Sequence, residues 1–331
     1  MKKSARELCS KIAAMPAIIV AMAACEMTVD VSQDEMSGEK IPVTVSVPVS
    51  ATKVTEAVGE NAVNDLQVLV FRKDGALDAY SSADIGILTV ECTAGERIFV
   101  AAVNAPDFSH ISSLSQFTEA RSDLSDNAVA DLVMAGSVSA TVDEAEESVT
   151  VEVSRLVARV AVLKITNAMS APAYSSIPIV LRGMYLSNVA GDCPYLHADA
   201  PTLWYNKVGI RNGCPELLYS GSVSYSLEQG ASHTEPNYFY CYQNSTEYDS
   251  QSGIWSPRYT RLVLETQIDG KFYYYPVSLP GIERNHTYDI EEIRLTRLGS
   301  DAPDKLVDTG AVEVRIRIVD WQDGSTVNVT I

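Results

Sequence analysis

Basic residues are scarce in this chain and lie scattered in ones and twos. The 331 residues include 25 Lys and Arg against 43 Asp and Glu, which gives a formal net charge of −18. A field of that sign repels a phosphate backbone, so the composition excludes nucleic acid as a partner. The length and the 46% hydrophobic content are sufficient for two domains that each bury a core.

Catalytic motifs are missing. The sequence has no GxSxG, HExxH, Walker or GxGxxG motif, and none of its four histidines has a second ligand at metal spacing. We therefore expect no enzyme, no metal site and no cofactor. A hydrolase built on paired carboxylates is the weakest alternative, because the sequence identifies no cleft for one.

No apolar run is long enough to cross a bilayer. The run at residues 12–24 follows a basic n-region with Lys2, Lys3 and Arg6 and is far below the roughly 20 residues that a spanning helix needs. This order predicts an export signal peptide over residues 1–24. The segment Met22-Ala23-Ala24-Cys25 resembles the lipobox of bacterial lipoproteins, which predicts acylation of Cys25. The alternative is ordinary signal-peptidase cleavage after an Ala-x-Ala-like site.

Cysteine is rare, and the absence of any CxxC pair excludes a zinc knuckle or a thioredoxin-type site. Cys9 leaves with the signal peptide. Four cysteines remain besides Cys25 in an exported, oxidising context. Two alternatives stay open for them: Cys193 and Cys214 bracket a loop and form a disulfide, or Cys92, Cys193, Cys214 and Cys241 are all buried thiols.

Helical periodicity is nearly absent after the signal peptide. Only residues 113–121 carry one, with Ser113 and Gln116 at capping-box spacing. Short strand-like segments recur instead, at residues 66–71, 85–91, 97–104, 148–154, 156–165, 179–186, 238–242, 260–268 and 271–279. Their spacing and turn residues predict an all-β fold of the sandwich type with one or two short helices.

Two segments near the ends of the mature chain share a period-two apolar pattern. The front segment alternates Pro, Thr and Ser with the apolar residues Ile41, Val43, Val45, Val47 and Val49. The tail segment has the apolar residues Val312, Val314, Ile316, Ile318, Val327, Val329 and Ile331. Because Pro42 and Pro48 cannot donate to a sheet ladder, we predict that the front strand lies at a sheet edge and can be removed more easily than a central strand.

Two aromatic clusters allow two interpretations. They cover residues 238–242 and 272–275. Aromatic residues are favoured in strands, where alternation buries half of them in a core. The alternative is a stacking surface for sugars.

Several segments together resemble the fimbrillin family of Bacteroidales, the subunits of type V pili. In the first half these are LQVLVFRKDGAL, AGERIFVAAVN and RLVARVAVLKI. In the second half these are TRLVLETQIDGKFYYYPVSL, the RNHxYxI and GSxxPD elements, and a D-W pair near the end. The resemblance covers most of the chain after Cys25 except about residues 190–236. It implies transthyretin-like β-sandwich domains at residues 54–155 and 156–331, behind a pro-segment at residues 25–53.

The resemblance also implies an assembly route. The family's precursors are outer membrane lipoproteins, carrying an acyl chain such as palmitate. A trypsin-like protease cuts them after a basic residue that ends the first strand. Lys53 matches that position here, where the family has Arg. Loss of the strand opens a groove that a C-terminal strand of another subunit fills by donor-strand exchange.

The expected product is a surface fimbrium that acts in adhesion or biofilm formation. Its expected partners are other fimbrial subunits in a homo- or hetero-polymer, the outer membrane and the protease. Two alternatives remain. One is a fimbrial anchor or tip subunit that keeps its lipid, and the other, from a different class, is a surface glycan-binding lipoprotein.

Overall fold

The structure is a computed structural model, and it describes residues 38–48, 59–144, 148–174, 176–249, 254–279, 281–307, 310–321 and 325–330. The chain divides into the units Met1–Gly38 and Glu39–Ile331, and all described secondary structure lies in the second unit. The predicted signal peptide at residues 1–24, and the positions Cys25, Val49, Lys53 and Ile331, lie outside the described residues.

The first half is a β-sandwich whose two sheets enclose a valine-rich core. Its strands are β1 Lys40–Ser46, β2 Leu66–Arg72, β3 Leu77–Ala83, β4 Ile87–Thr93, β5 Gly95–Val103, β6 Arg121–Asp123, β7 Met134–Val142, β8 Ser148–Thr150 and β9 Ser154–Arg155. One sheet has the order β3-β2-β5-β7-β9 and the other β4-β1-β8. The apolar phases of both sheets meet between them, including Val45, Val68 and Phe99.

Of the one or two short helices predicted at residues 113–121, one is present as α1, Leu114–Glu119. Ser113 is its N-cap, and the Ser113 side chain accepts a hydrogen bond from the Gln116 backbone N–H, as the capping-box spacing predicted. Three single-turn 3-10 helices complete the helical content of the described residues, at Leu124–Asp126, Lys207–Gly209 and Glu216–Leu218.

The second half is also built from two sheets. Its strands are β10 Val157–Val162, β11 Ile165–Asn167, β12 Ile179–Ser187, β13 Val189–Ala190, β14 Asp192–Pro194, β15 Trp204–Tyr205, β16 Tyr225–Leu227, β17 Ser232–His233, β18 Asn237–Tyr242, β19 Thr260–Ile268, β20 Lys271–Leu279, β21 His286–Leu295, β22 Val312–Asp320 and β23 Thr326–Thr330. The larger sheet has the order β17-β11-β21-β10-β18, and β22 and then β23 continue it from β21. The smaller sheet has the order β16-β12-β19-β20.

The all-β fold class is confirmed. In addition, the two halves share one hydrophobic cluster, which the sequence did not predict. A large hydrophobic cluster contains residues of the smaller and larger sheets of the second half together with Leu69, Phe71 and Val100 of the first. The sheet of β2 and β5 therefore contributes side chains to two cores. The division into domains at residues 54–155 and 156–331 stays a prediction.

Candidate functional site

The front strand β1 does not lie at a sheet edge, so that prediction is wrong. It pairs with β4 in antiparallel fashion over Lys40–Ser46 and with β8 in parallel fashion over Thr44–Ser46. The backbone N–H of Val47 donates to Gly86 O at 3.0 Å, on the β4 side. By strand alternation the even-numbered residues, which include both prolines, direct their backbone toward β8.

The placement of the prolines explains how a middle strand tolerates them. The pairing with β8 is confined to the three residues that lie between Pro42 and Pro48. Neither proline is therefore required to donate a ladder hydrogen bond. The two prolines therefore limit the length of the pairing between β1 and β8, and they do not force β1 to the sheet edge.

The buried face of β1 is completed by its valines. Val43 and Val45 have no exposed surface, Val47 is buried, and Ile41 is half-buried. At roughly 1.5–3 kcal/mol for each fully buried aliphatic side chain, the three valines contribute a gross term of about 5–9 kcal/mol. Without β1, the apolar faces of β2 and β5 would be open to water along a slot flanked by β4 and β8.

The tail segment divides into a buried strand and an exposed one. In β22, Val314 and Ile316 belong to the core and Val312 and Ile318 are half-buried against it. In β23, which pairs only with β22 among the described residues, Val327 is 62% exposed. The apolar pattern alone did not distinguish a core strand from an open sheet edge.

Ion pairs hold β22 to β21. Arg315 Nη2 lies 2.6 Å from Glu292 Oε2, and Arg317 Nη2 lies 2.8 Å from Asp289 Oδ2. Burial acts to raise the pKa of Glu292, but hydrogen bonds from Thr166, Lys164 and Arg315 outweigh it and lower that pKa to about 2. β22 is therefore anchored by both its apolar face and its charges, whereas β23 shares neither anchor.

A buried polar cluster fixes the chain just after the predicted processing position. Arg159 Nη1 lies 2.9 Å from Glu60 Oε2, and the Tyr240 hydroxyl donates to Glu60 Oε1 at 2.6 Å. Arg155 Nε donates to the backbone oxygen of Glu60 at 3.2 Å. The Arg155 and Arg159 guanidinium groups also lie 4.4 Å and 5.2 Å from the ring centroid of Trp321. Any segment removed at the front must end before this cluster if the core is to stay intact.

The RNHxYxI element and the D-W pair serve packing. Arg284 donates to the backbone oxygens of Pro194, Tyr195 and His197. Asn285 adopts a φ of 56°, and its backbone oxygen accepts from the Trp321 N–H. These residues tie β21 and β22 to their neighbours and form no reactive centre.

The GSxxPD element also has a structural role. A Cβ on Gly299 would lie 2.5 Å from the backbone oxygen of Tyr274, so the close approach of these chains requires glycine. The Asp304 carboxylate accepts from Arg258 at 3.1 Å and from Arg261 at 2.6 Å. Both arginines have no exposed surface.

The four cysteines among the described residues are free thiols, namely Cys92, Cys193, Cys214 and Cys241. The Cys193–Cys214 disulfide is therefore not formed in the structure. Cys193 is packed into the core from β14, while Cys214 lies half-buried in the loop before a 3-10 turn. Burial raises the pKa of Cys193 to about 12, which keeps it a thiol at neutral pH.

Four of the eight aromatic side chains in the two clusters are buried. In β18, Phe239, Tyr240 and Tyr242 have no exposed surface, because both faces of this strand are covered. In β20, Tyr275 is buried, and only Phe272 is exposed, by 51%. The clusters do not form a continuous outer surface for sugars.

Neither a metal site nor a membrane-spanning helix is found among the described residues. No group of three or more His, Cys, Asp and Glu side chains is arranged to hold a metal ion there. Over the same ranges, no helix combines the length and the apolar character that crossing a membrane would take.

The comparison of families matches part of this chain. Residues 41–175, which cover β1 from Ile41, the first sandwich and β10, match the model of the major fimbrial subunit protein family, FimA. Over this part the resemblance to the fimbrillin family is confirmed. The proteins of that family are structural subunits of cell-surface fimbriae, and the match agrees with the expectation that the chain is not an enzyme.

Solved structures show the same fold. A fimbrilin from Porphyromonas gingivalis W83 is 14% identical, with a TM-score of 0.61 over 85% of this chain and 97% of that chain. A candidate cell adhesion protein from Parabacteroides distasonis ATCC 8503 is 18% identical, with a TM-score of 0.65 over 86% and 97%. The tip fimbrial protein Mfa3 from P. gingivalis is 19% identical, with a TM-score of 0.53 over 85% and 100%. Among curated proteins, none matches this chain in sequence.

Proposed function

We propose that this chain is a structural subunit of a surface pilus, exported as a lipoprotein acylated on Cys25 and assembled by strand exchange. A trypsin-like protease cuts at Lys53, β1 leaves, and β23 of another subunit takes its place. The observation that carries this proposal is the contrast between the two valine segments. Val43 and Val45 of β1 fill a slot, while Val327 of β23 has the same period-two spacing to Val329 and is exposed at an open edge.

The middle position of β1 favours exchange over simple loss. Removal of an edge strand would leave the backbone groups of one neighbouring strand without a pairing partner. Removal of β1 leaves those of both β4 and β8 without it, on the two sides of one slot. An incoming strand can then hydrogen bond to both neighbours and bury its own apolar side chains. The empty slot would expose an apolar surface. Burying that surface again contributes about 5–9 kcal/mol in gross terms, and this drives another chain to occupy the slot.

The split of the tail segment supports β23 as the donor. Extracting β22 would break the Glu292–Arg315 and Asp289–Arg317 pairs and open the core around Ile316. β23 can leave its edge at the cost of the β22 pairing alone, because its side chains are largely exposed. A subunit can therefore donate β23 and keep its own fold.

The second candidate is an anchor or tip subunit that retains residues 25–53 and the lipid. It is favoured by Lys53 at the position where the family has Arg, because a protease that prefers Arg would leave this chain uncut. The fold is also shared with a tip fimbrial protein. The glycan-binding lipoprotein draws less support from the aromatic clusters, because four of their eight aromatic side chains are buried.

Mass spectrometry of surface-sheared material from the producing bacterium separates these functions. A shaft subunit yields a mature N-terminus at Val54 in polymeric material. An anchor yields only the Cys25-acylated form, in the membrane fraction. Finding the Cys25 form alone would overturn the strand-removal route, including the role of Lys53.

A further inference from the structure

The slot that holds β1 has a longer wall on the β8 side than β1 uses. The parallel pairing covers only Thr44–Ser46. Beyond β8 the chain continues in the same phase, because Val149, Val151 and Val153 are all buried in the valine-rich core while the residues between them are exposed. The Val151 N–H still reaches the strand and donates to Ser46 O at 3.0 Å. The wall therefore extends past the last residue of the ladder.

Pro48 is the residue at which this ladder stops. The backbone groups of the even-numbered β1 residues point toward β8, and the residue that follows Ser46 on that side is Pro48. Because Val151 donates to Ser46 O, the next bond of a parallel ladder would run from the N–H of position 48 to Val151 O. Proline has no N–H to donate. Pro48 is also exposed, so its ring is not part of the core. The β4 side is unaffected, since Val47 donates to Gly86 O.

Strand β23 has the inward pattern of β1 without its proline. Val327 and Val329 alternate with polar residues in the same way as Val45 and Val47. We consider β23 placed in the slot in the direction of β1, with its valines pointing inward. The residues that then face β8 each have a backbone N–H, namely Thr326, Asn328 and Thr330. β23 can therefore donate at every position on this side, including the position of Pro48.

We propose that Pro48 makes β1 a weakly paired placeholder, so that β23 of a second copy of this chain binds the slot more tightly than β1 does after the cut. The inference rests on the proposed strand exchange and explains its direction. Before the cut, the covalent connection holds β1 at a high effective concentration beside its slot despite the short ladder. After the cut this advantage is lost, and the ladder to β8 favours the strand without proline. One net backbone hydrogen bond changes a binding constant roughly two- to tenfold.

The rate at which the cut front segment leaves the slot tests the role of Pro48. The full chain carries one engineered protease recognition sequence at position 53. After cutting, size-exclusion chromatography with mass spectrometry follows the release of the front segment, and light scattering follows polymer growth. Pro48→Ala and Pro48→Thr both restore an N–H at position 48. Each should slow the release, and polymer growth with it, about three- to tenfold relative to the cut parent chain.

The matched control is Ser46→Thr, which places a β-branched residue on the same face of β1 but adds no N–H. It should release the segment at the parent rate, and near-ultraviolet circular dichroism should show each uncut variant folded. Release at the parent rate from both Pro48 variants, or equal slowing by Ser46→Thr, would overturn the role of Pro48 and leave strand exchange intact. A cut parent chain that keeps its front segment, or that loses it without polymerising, would contradict strand exchange itself and this inference with it.

Discussion

Glu60 and Arg159 form an ion pair of 2.9 Å in which the two side chains are 0% and 1% exposed. Glu60→Ala removes the nearest carboxylate of the buried Arg159 and leaves Asp289 at 3.9 Å, so it should lower the free energy of unfolding by about 3–5 kcal/mol. Urea unfolding measures this loss. Glu96→Gln, which breaks the exposed Lys73–Glu96 pair at 2.8 Å, serves as the control and should have no measurable effect. Equal midpoints for the Glu60→Ala variant and the parent chain would show that the pair does not hold this region.

Acid should destabilise the chain partly through Glu292. Its pKa is lowered to about 2 in the folded state, below the ordinary value of 4.5, so the unfolded state binds more protons between these values. Stability from this group is complete above about pH 4.5 and is lost as the pH falls toward 2. Glu292→Gln should flatten that part of the pH dependence, as measured by thermal unfolding from pH 2 to 7. An unchanged acid profile would contradict the assignment.

The two tail strands should respond differently to substitution. Ile316→Ala removes core volume and should cost about 2–5 kcal/mol of the unfolding free energy. Val327→Asn changes a side chain that is 62% exposed and should leave the stability of the isolated subunit nearly unchanged. Chemical denaturation of both variants checks the contrast. A comparable loss in both would mean that β23 belongs to the subunit's own core.

The front strand should behave as an integral part of the uncut subunit. Val45→Ala removes two methyl groups from a fully buried position and should cost about 2 kcal/mol. Thr44→Ser, on the opposite face of the strand, is the matched control and should cost clearly less. If Val45→Ala left the unfolding free energy unchanged, the slot would not depend on its valines.

Regular alternation was sufficient to locate many strands, and β19 and β20 have the predicted bounds. It did not identify β7, whose sequence MAGSVSATV is small and polar. Gly136 in that strand is required because a Cβ there would lie 1.9 Å from Glu152 O. The sequence shows that position 136 is a glycine, but it does not show that the backbone at Glu152 passes close to it.

The position of β1 and the partners of Glu60 depend on contacts between distant segments. Pro42 and Pro48 favour an edge when each is considered alone, but the short β8 fits between them. Glu60 and Arg159 lie 99 residues apart, and nothing in either local pattern relates them. Likewise, Trp204 of the short strand β15 and Trp255 lie 51 residues apart, and no local pattern relates them.

The oligomeric state of the subunit before and after a single cut at position 53 tests strand exchange most directly. The full chain carries one engineered protease recognition sequence there and is followed by light scattering and by gels run without heating. The uncut chain should be monomeric. After cutting, it should form a ladder of polymers, and the Val327→Asn/Val329→Asn variant should stay monomeric. A cut chain that stays folded and monomeric, or a double variant that polymerises equally well, would contradict the exchange of β1 for β23.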